Sequence, residues 1–164
     1  IEISSKIGLS NITVQAVADL AGVTKGGLLH HFPSKQVLIE EVFNILMENL
    51  DLEINRIMEK DSEPKGSFSR AYVKSSYSGH ENNSIKIWPA FSTSLVLDSE
   101  MQKIWYEWLK LRLQKHKKTD SSINCEIARL AADGLWFNLN FVDDSNKNIF
   151  NPKLLDTLIN LTFE

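Results

Sequence analysis

The sequence predicts an all-α protein, and three features of its pattern support that prediction. Apolar residues recur every three or four positions through most of the 164-residue chain, as they do along one face of a helix. Glycine and proline are scarce inside these periodic segments, with 7 and 4 residues in the whole chain. No segment of useful length alternates apolar and polar residues with period two, which is the pattern of a half-buried strand. We therefore expect helices packed on helices.

The composition restricts the class of protein further. A hydrophobic content of 43% is enough for one or two small domains with a buried core. A net charge of −3 means that any binding of nucleic acid must come from a local surface. The single Cys125 cannot form a disulfide within the chain, excludes a cysteine-based zinc site and favours a reducing cytoplasm. No apolar run of about 18 residues predicts a membrane span.

The first two predicted helices meet in a tight turn. Thr13 stands where a side-chain oxygen can cap a helix start, and Thr24 has the same place before the second helix. Gly22 supplies the positive φ that ends the first helix cheaply. Small Ala18 lets the two backbones approach, and Leu28 seals the crossing from the second helix. This spacing predicts a helix-turn-helix.

The second helix begins with a glycine pair, Gly26 and Gly27, that costs roughly 1 kcal/mol per residue relative to alanine. Without side chains, these residues let backbone N–H groups and the positive end of the helix dipole approach an anion. The segment also displays four basic residues, Lys25, His30, His31 and Lys35. These features favour a helix that enters the major groove of DNA, with an ordinary helical hairpin as the alternative.

At this point the residues resemble a known family. The segment AVADLAGVTKGGLLHHFPSK resembles the signature of the TetR family of ligand-released repressors, with its Ala-x-x-x-Gly-Val turn and closing Phe-x-x-Lys. ARLAADGLWFNLNFVDD resembles the penultimate helix of a TetR subgroup that regulates drug-efflux genes. Leu29 departs from the family, which commonly has Tyr there, so one phosphate contact is lost or passes to His30. Residues 1–8 resemble only the end of a first helix, and we expect that helix and a basic arm to begin upstream.

The resemblance implies roles for individual residues in binding DNA. Those implied to hold phosphates are Thr13 and Lys35. Those implied to face base edges are Gln15, Lys25, Gly27 and His30. Those implied to touch the DNA backbone or the bases are Thr24 and His31. Gly26, the other glycine of the pair, would let the helix approach the DNA closely. Glutamine pairs bidentately with adenine N6 and N7, so its chemistry agrees with the role implied for Gln15.

The remaining chain predicts a larger helical domain. A stripe from Ile39 to Ile57 predicts one helix over Lys35–Lys60, about 40 Å long, ended by Pro64 and Gly66. Further helices are predicted over residues 68–78, 85–97, 98–118, 121–142 and 151–163, with Pro152 at the first helical position of the last. A polar loop is predicted over residues 79–84. We expect a helix-turn-helix domain at residues 1–35 and a helical ligand-binding and dimerisation domain at residues 36–164.

Aromatic residues concentrate in the C-terminal half, where the resemblance implies a ligand cavity between the middle helices. Wide aromatics on several helices can line a cavity for a flat apolar ligand, although core packing is the simpler role for each of them. Asp133 stands in an otherwise apolar stretch, which is costly unless the carboxylate is paired or functional. A carboxylate in the cavity would favour a cationic ligand, and a buried interhelical hydrogen bond is the alternative. The predicted ligand-binding residues are Trp88, Phe91, Trp105, Trp108, Asp133 and Phe137.

A homodimer is also expected, because the resemblance implies one and because palindromic half-sites about 34–36 Å apart require one. Small residues let helices pack closely, and four of them form the predicted surface: Ala128, Ala131, Ala132 and Gly134. The final helix would complete a four-helix interface between two subunits. Packing of the same residues within one subunit is the alternative.

Catalysis is not expected, and we predict no catalytic residue, metal or cofactor. The four histidines, His30, His31, His80 and His116, lack metal-ligand spacing. No phosphate loop or nucleophile elbow is present in the sequence. A helix-turn-helix that binds protein instead of DNA remains as a second alternative. The sequence thus predicts a TetR-like regulator, most simply a repressor, that binds double-stranded operator DNA and a small molecule.

Overall fold

The computed structural model describes residues 12–78, 95, 98–138 and 151–163, and every regular element among them is an α-helix. The helices are α1 (Val14–Ala21), α2 (Lys25–His31), α3 (Lys35–Glu59), α4 (Ser67–Ser78), α5 (Ser99–Lys115), α6 (Lys117–Asp120), α7 (Ile123–Asn138) and α8 (Leu154–Leu161). The all-α prediction is confirmed. None of the described helices is long and apolar enough to cross a membrane.

The predicted helix boundaries agree best with the structure where they depend on residues that are close in sequence. The long helix α3 lies where it was predicted, although it ends at Glu59, before Pro64 and Gly66. The helix predicted over residues 98–118 is interrupted at His116, where α5 ends and the short α6 begins. Pro152 lies in the turn before α8 and is not its first helical residue, because α8 begins at Leu154. The loop predicted over residues 79–84 and the helix over 85–97 lie almost wholly outside the described residues.

The larger core is organised around α4, which contacts α3, α6, α7 and α8. From α3, the buried face includes Phe43, Leu46 and Ile54, as the helical stripe predicts. These side chains pack against Phe68 and Val73 of α4. Helix α4 is buried on nearly all sides although much of it is polar, because the buried Ser69 and Arg70 are hydrogen-bonded to Asp120 and Asp61.

A second and smaller core holds α1 and α2 together. Ala18 is fully buried, and it packs with Leu28 and with Leu38 at the start of α3. The predicted crossing of the two helices at Ala18 and Leu28 is present. Because Leu38 belongs to α3, the helix-turn-helix is attached directly to the first turn of the helix that runs into the larger core.

Candidate nucleic-acid interface and ligand cavity

Both helices of the helix-turn-helix begin at a threonine cap. The Thr13 side chain accepts a hydrogen bond from the Ala16 backbone N–H at 3.1 Å. The Thr24 side chain accepts one from the Gly27 N–H at 3.0 Å. A threonine hydroxyl that accepts in this way still has its own hydrogen to donate, so it can hold a phosphate oxygen without leaving the cap.

The turn between these helices has the geometry predicted for Gly22, whose φ is +67°. The Gly22 N–H caps the end of α1, and the Val23 N–H donates to the Ala18 carbonyl at 3.0 Å. This backbone bond closes the helix end as a Schellman motif does. The turn orients α2 across α1 and leaves the N-terminal end of α2 at the surface.

The residues predicted to contact DNA all lie on the protein surface: Thr13, Gln15, Thr24, Lys25, Gly26, Gly27, His30, His31 and Lys35. The rings of His30 and His31 lie edge to face, with centroids 5.6 Å apart. Gln15 donates from Nε2 to Asp19 of the same helix at 2.7 Å, so pairing with a base would have to replace that bond. These residues belong to the helix-turn-helix and to the first position of α3, and their contacts with DNA remain a prediction.

The two glycines of α2 have different surroundings. A Cβ added at Gly26 would meet nothing within 4 Å, and one added at Gly27 would lie 3.1 Å from the Thr24 Oγ1. No contact among the described residues therefore demands glycine at position 26, although alanine would be the better helix former. Since the described contacts do not require glycine there, this glycine favours a surface that another molecule approaches closely.

A cavity of about 560 Å³, open to solvent on one side, lies between α4, α5 and α7. Its walls include Leu109 and Leu113 of α5 and Leu130 of α7. Its floor contains Tyr72 of α4 and Asp133 of α7, whose side chains are hydrogen-bonded to each other. A volume of this size falls within the range of about 300–1,000 Å³ that is usual for small-molecule sites.

The hydrogen bond between Tyr72 and Asp133 joins two groups with shifted protonation. Burial raises the pKa of Asp133 to about 6, although the Tyr72 hydroxyl and the positive charge of Arg129 lower it in part. Burial, together with the Asp133 carboxylate, raises the pKa of Tyr72 well above its usual range. The phenol therefore stays protonated and donates, and the carboxylate accepts.

Of the residues predicted to bind a ligand, Asp133 lies in this cavity. Trp105 and Trp108 pack against the core, with ring centroids 5.3 Å apart, and neither lines the cavity. Phe137 is exposed at the C-terminal end of α7. Trp88 and Phe91 lie outside the described residues. Ligand binding by this set remains a prediction, and the cavity favours Asp133 among its members.

Helix α5 links the cavity to the long helix α3 at both of its ends. At its start, the Asp98 side chain caps α5 and accepts a hydrogen bond from Gln36 of α3 at 3.1 Å. Near its end, Arg112 is ion-paired with Asp51 of α3, and the Trp108 Nε1 donates to the same carboxylate at 2.9 Å. Burial opposes ionisation of Asp51, yet these bonds hold its pKa below the usual value. Helices α5 and α3 are therefore joined by polar contacts near both ends of α5.

The small-residue surface predicted for α7 is divided between the inside and the outside of the subunit. Ala128 and Ala132 are fully buried against the core of their own chain, so these two cannot form a surface for a second subunit. Ala131 is half-buried and packs on the same core. The exposed face of α7 carries large apolar residues instead: Ile123, Ile127, Leu130 and Phe137, between 45 and 66% exposed.

Several residues that build the site were missed by the sequence analysis. Tyr72 forms the cavity floor, but a tyrosine in an amphipathic helix is indistinguishable from ordinary core. Outside the cavity, Arg70 is buried in the first turn of α4, where it binds the Asp61 carboxylate and the Thr162 hydroxyl. A charged residue between the apolar Phe68 and Ala71 could have signalled a buried pair, because an unpaired buried charge is very costly.

Together, an exposed helix-turn-helix and a helical body, joined through one long helix, form the architecture of a DNA-binding transcriptional regulator. Family models match both parts. The N-terminal model of the bacterial regulatory proteins of the tetR family covers residues 2–42. The tetracyclin repressor-like C-terminal domain covers residues 66–162. The chain belongs to the TetR family, and it is a TetR-type transcriptional regulator.

Curated relatives agree with this assignment. The HTH-type transcriptional repressor KstR2 of Rhodococcus jostii (strain RHA1) is 26% identical over 142 residues, 79% of this chain and 69% of the relative. KstR2 of Mycolicibacterium smegmatis is 26% identical over 114 residues, which cover 63% of this chain and 56% of the relative's length. In structure, SCO7518 of Streptomyces coelicolor A3(2), described as a transcriptional regulator, matches with a TM-score of 0.73 at 14% identity. That match covers 99% of this chain and 93% of SCO7518, and it supports the fold alone.

Proposed function

We propose that this protein is a cytoplasmic repressor that binds a palindromic operator as a homodimer and is released by a small apolar or cationic ligand. The observation that carries the proposal is the start of α2. There, a capped helix terminus with two exposed glycines and flanking basic residues lies at the surface. The names of the KstR2 relatives as transcriptional repressors favour repression over activation.

Binding of DNA would place the N-terminal end of α2 in the major groove. Backbone N–H groups at a helix start favour a phosphate, and the Thr24 cap already holds the Gly27 N–H in helical geometry. Lys25 would add positive charge, and the two histidines would add hydrogen-bonding groups, along the same helix. Each half-site would be read by one subunit.

A carboxylate placed at this helix start tests the proposal. Gly27→Glu should weaken binding to DNA from the region upstream of the gene by at least about 100-fold, because the new charge would face the phosphates. Asn49→Glu adds the same charge at an exposed site of α3 and is the matched control. Affinity is measured by fluorescence anisotropy over a series of salt concentrations, with folding checked by circular dichroism. Equal affinity of the two variants, or affinity independent of salt, would contradict DNA binding by α2.

Dimerisation would bury the exposed apolar stripe of α7. Ile123, Ile127, Leu130 and Phe137 are spaced by four, three and seven residues, so they lie along one side of the helix. Apolar side chains that line up in this way mark an interaction surface more often than scattered ones do. The exposed residues of α8 are mainly polar, so α7 would supply most of the apolar contact.

An arginine in the stripe would put a charge into the proposed interface. Ile127→Arg should convert the dimer to a monomer in sedimentation velocity and weaken operator binding. Leu52→Arg replaces another exposed aliphatic residue, on α3, and should leave the dimer intact. A dimer that persists in Ile127→Arg at micromolar concentration would place the interface elsewhere.

Release from DNA would follow from the contacts between α5 and α3. A ligand in the cavity contacts α5 through Leu109 and Leu113, and α5 is bonded to α3 at Gln36 and Asp51. Helix α3 begins four residues after α2, so a tilt of α3 would move α2 in the groove. A 100-fold loss of DNA affinity requires a coupling free energy of roughly 2.7 kcal/mol, and operator DNA must weaken ligand binding equally. Titration of the ligand with and without operator measures both effects.

The finer assignment to the regulators of drug-efflux genes also remains a proposal. It is supported by the resemblance of ARLAADGLWFNLNFVDD to the penultimate helix of that subgroup. Transcription of the genes beside this one, compared between the wild type and a deletion strain, would show whether an efflux gene is under its control.

A further inference from the structure

Among the described residues, the floor of the cavity contains three charged side chains, Asp120, Arg129 and Asp133, and the first two are joined through the Ser69 hydroxyl. Arg129 donates from Nη1 to the Ser69 hydroxyl and to the Asp120 backbone carbonyl, the latter at 3.1 Å. The Asp120 carboxylate accepts hydrogen bonds of 2.7 Å from the Ser69 N–H, the Ser69 hydroxyl and the Thr119 hydroxyl. Asp120 and Arg129 are both buried. Their opposite charges balance, and their bonds lock α4, α6 and α7 together.

Asp133 is the third charged group, and its charge is not balanced in the same way. Among the described residues, the hydrogen-bond partner of its carboxylate is the Tyr72 hydroxyl. This hydroxyl is neutral, and it donates to the Asp133 Oδ1. Arg129 acts on it through space and is bonded elsewhere. A half-buried carboxylate without a cation at hydrogen-bonding distance is unfavourable, and a ligand can remove that cost. The ionised floor therefore has a net charge of −1.

The described residues at the rim of the cavity do not supply the missing cation. Lys110 is exposed and forms a salt bridge with Glu107 at 3.2 Å. Lys117 is also exposed, and Glu126 on the same rim opposes its charge. Exposed charges are screened by water and salt, so they act weakly on a group at the floor.

We infer that the cavity selects an apolar ligand that carries one protonated amine, and that Asp133 is the residue that determines this selectivity. The inference rests on the proposed function, in which this cavity is the effector site. Leu109, Leu113 and Leu130 would contact the apolar body of the ligand. The amine would donate to the Asp133 carboxylate and approach the face of Tyr72, since aromatic rings attract cations. A ligand carboxylate at the same place would be repelled.

Three fluorescent probes of equal shape test the inference: 9-(aminomethyl)anthracene, 9-anthracenemethanol and 9-anthracenecarboxylic acid. Binding is followed by energy transfer from the tryptophans, in the absence of DNA. The amine should bind the wild type at least about tenfold more tightly than either of the other probes. Asp133→Asn keeps the shape and should abolish that preference. Asp156→Asn makes the same change at an exposed site of α8 and should retain it.

The pH dependence in the wild type gives a second readout that needs no variant. Since the pKa of Asp133 is about 6, the carboxylate is largely protonated at pH 5 and ionised at pH 7.5. The amine should therefore bind about tenfold more weakly at pH 5, while the alcohol should change little. The other charged groups around the cavity are Lys110, Lys117, Asp120, Glu126 and Arg129, and His116 lies beside Asp120. Their effect is removed by comparing the two probes.

The outcomes separate this inference from the proposed function. Equal binding of the three probes, no binding of any of them, or a preference retained in Asp133→Asn would overturn the inference. DNA affinity of the ligand-free protein is measured independently, and none of those results would alter it. Selective binding of the amine without any loss of DNA affinity would support the cavity's selectivity while contradicting ligand release.

Discussion

The two candidate sites of this protein are built in opposite ways. In the helix-turn-helix, the hydrogen bonds that shape the site are local. The Thr13 and Thr24 side chains each accept a bond from the backbone N–H three residues ahead. In the cavity, they join residues far apart in sequence, such as Ser69 with Asp120 and Tyr72 with Asp133. The first site is exposed and stabilises little besides its own helix, whereas the second is part of the core. Substitutions should therefore affect function at the first site and stability at the second.

The largest expected effect on stability is at Arg70. Its guanidinium is buried and binds Asp61, Thr162 and the carbonyls of Glu63 and Lys65. Arg70→Met would leave the Asp61 carboxylate without its cation, and should lower the free energy of unfolding by about 3–5 kcal/mol. Urea denaturation measures the loss. Lys103→Met removes an exposed cation and should change the free energy by less than about 0.5 kcal/mol.

The next effect concerns two glycines, one just before α4 in the larger core and one in the helix-turn-helix. Gly66 has φ of +75°, and an added Cβ would lie 2.3 Å from the Thr162 carbonyl oxygen. Gly66→Ala should therefore destabilise the protein by at least about 2 kcal/mol. Gly26→Ala, in the open at α2, should instead raise the stability by up to about 1 kcal/mol. Thermal unfolding of the two variants should give melting temperatures on opposite sides of the wild type.

A smaller effect is expected from the protonation of Asp133. Its folded pKa of about 6 lies above the ordinary value of 3.8, so folding favours the protonated form. The stability that this group contributes is present at low pH and is lost as the pH rises through 6. Between pH 5 and 7.5 the loss is roughly 1 kcal/mol. Asp133→Asn should lack it, so the difference between the wild type and the variant should change with pH by that amount. A constant difference would mean that Asp133 is not shifted.

The smallest effect on stability is expected at the Thr24 cap. Thr24→Ala removes the hydrogen bond to the Gly27 N–H, and it should cost about 0.5–1 kcal/mol because the helix end is exposed to water. Thr24→Ser retains the hydroxyl and is the control. If both variants unfold like the wild type while Thr24→Ala loses DNA affinity, the local site acts in binding alone. A loss of several kcal/mol would remove the contrast between the two sites.

Much of the fold could be predicted because its signals are short in range. The Thr13 cap, the left-handed Gly22 and the crossing at Ala18 and Leu28 each depend on a few neighbouring residues, and the structure contains all of them. The stripe from Ile39 to Ile57 likewise follows from the helical repeat. The TetR family, confirmed by the family models, was also recognisable from the motif in this region.

The sequence by itself determined the helical class, the helix-turn-helix and the family, because spacing along one helix is encoded by the residues within it. Only the tertiary structure decided which face of α7 is buried, with Ala128 inside and Ile127 outside. It also decided that Tyr72 meets Asp133, and that Trp108 contacts Asp51 of α3 instead of the cavity. Those contacts depend on how helices distant in sequence pack, and helical periodicity specifies a buried face without specifying its partner.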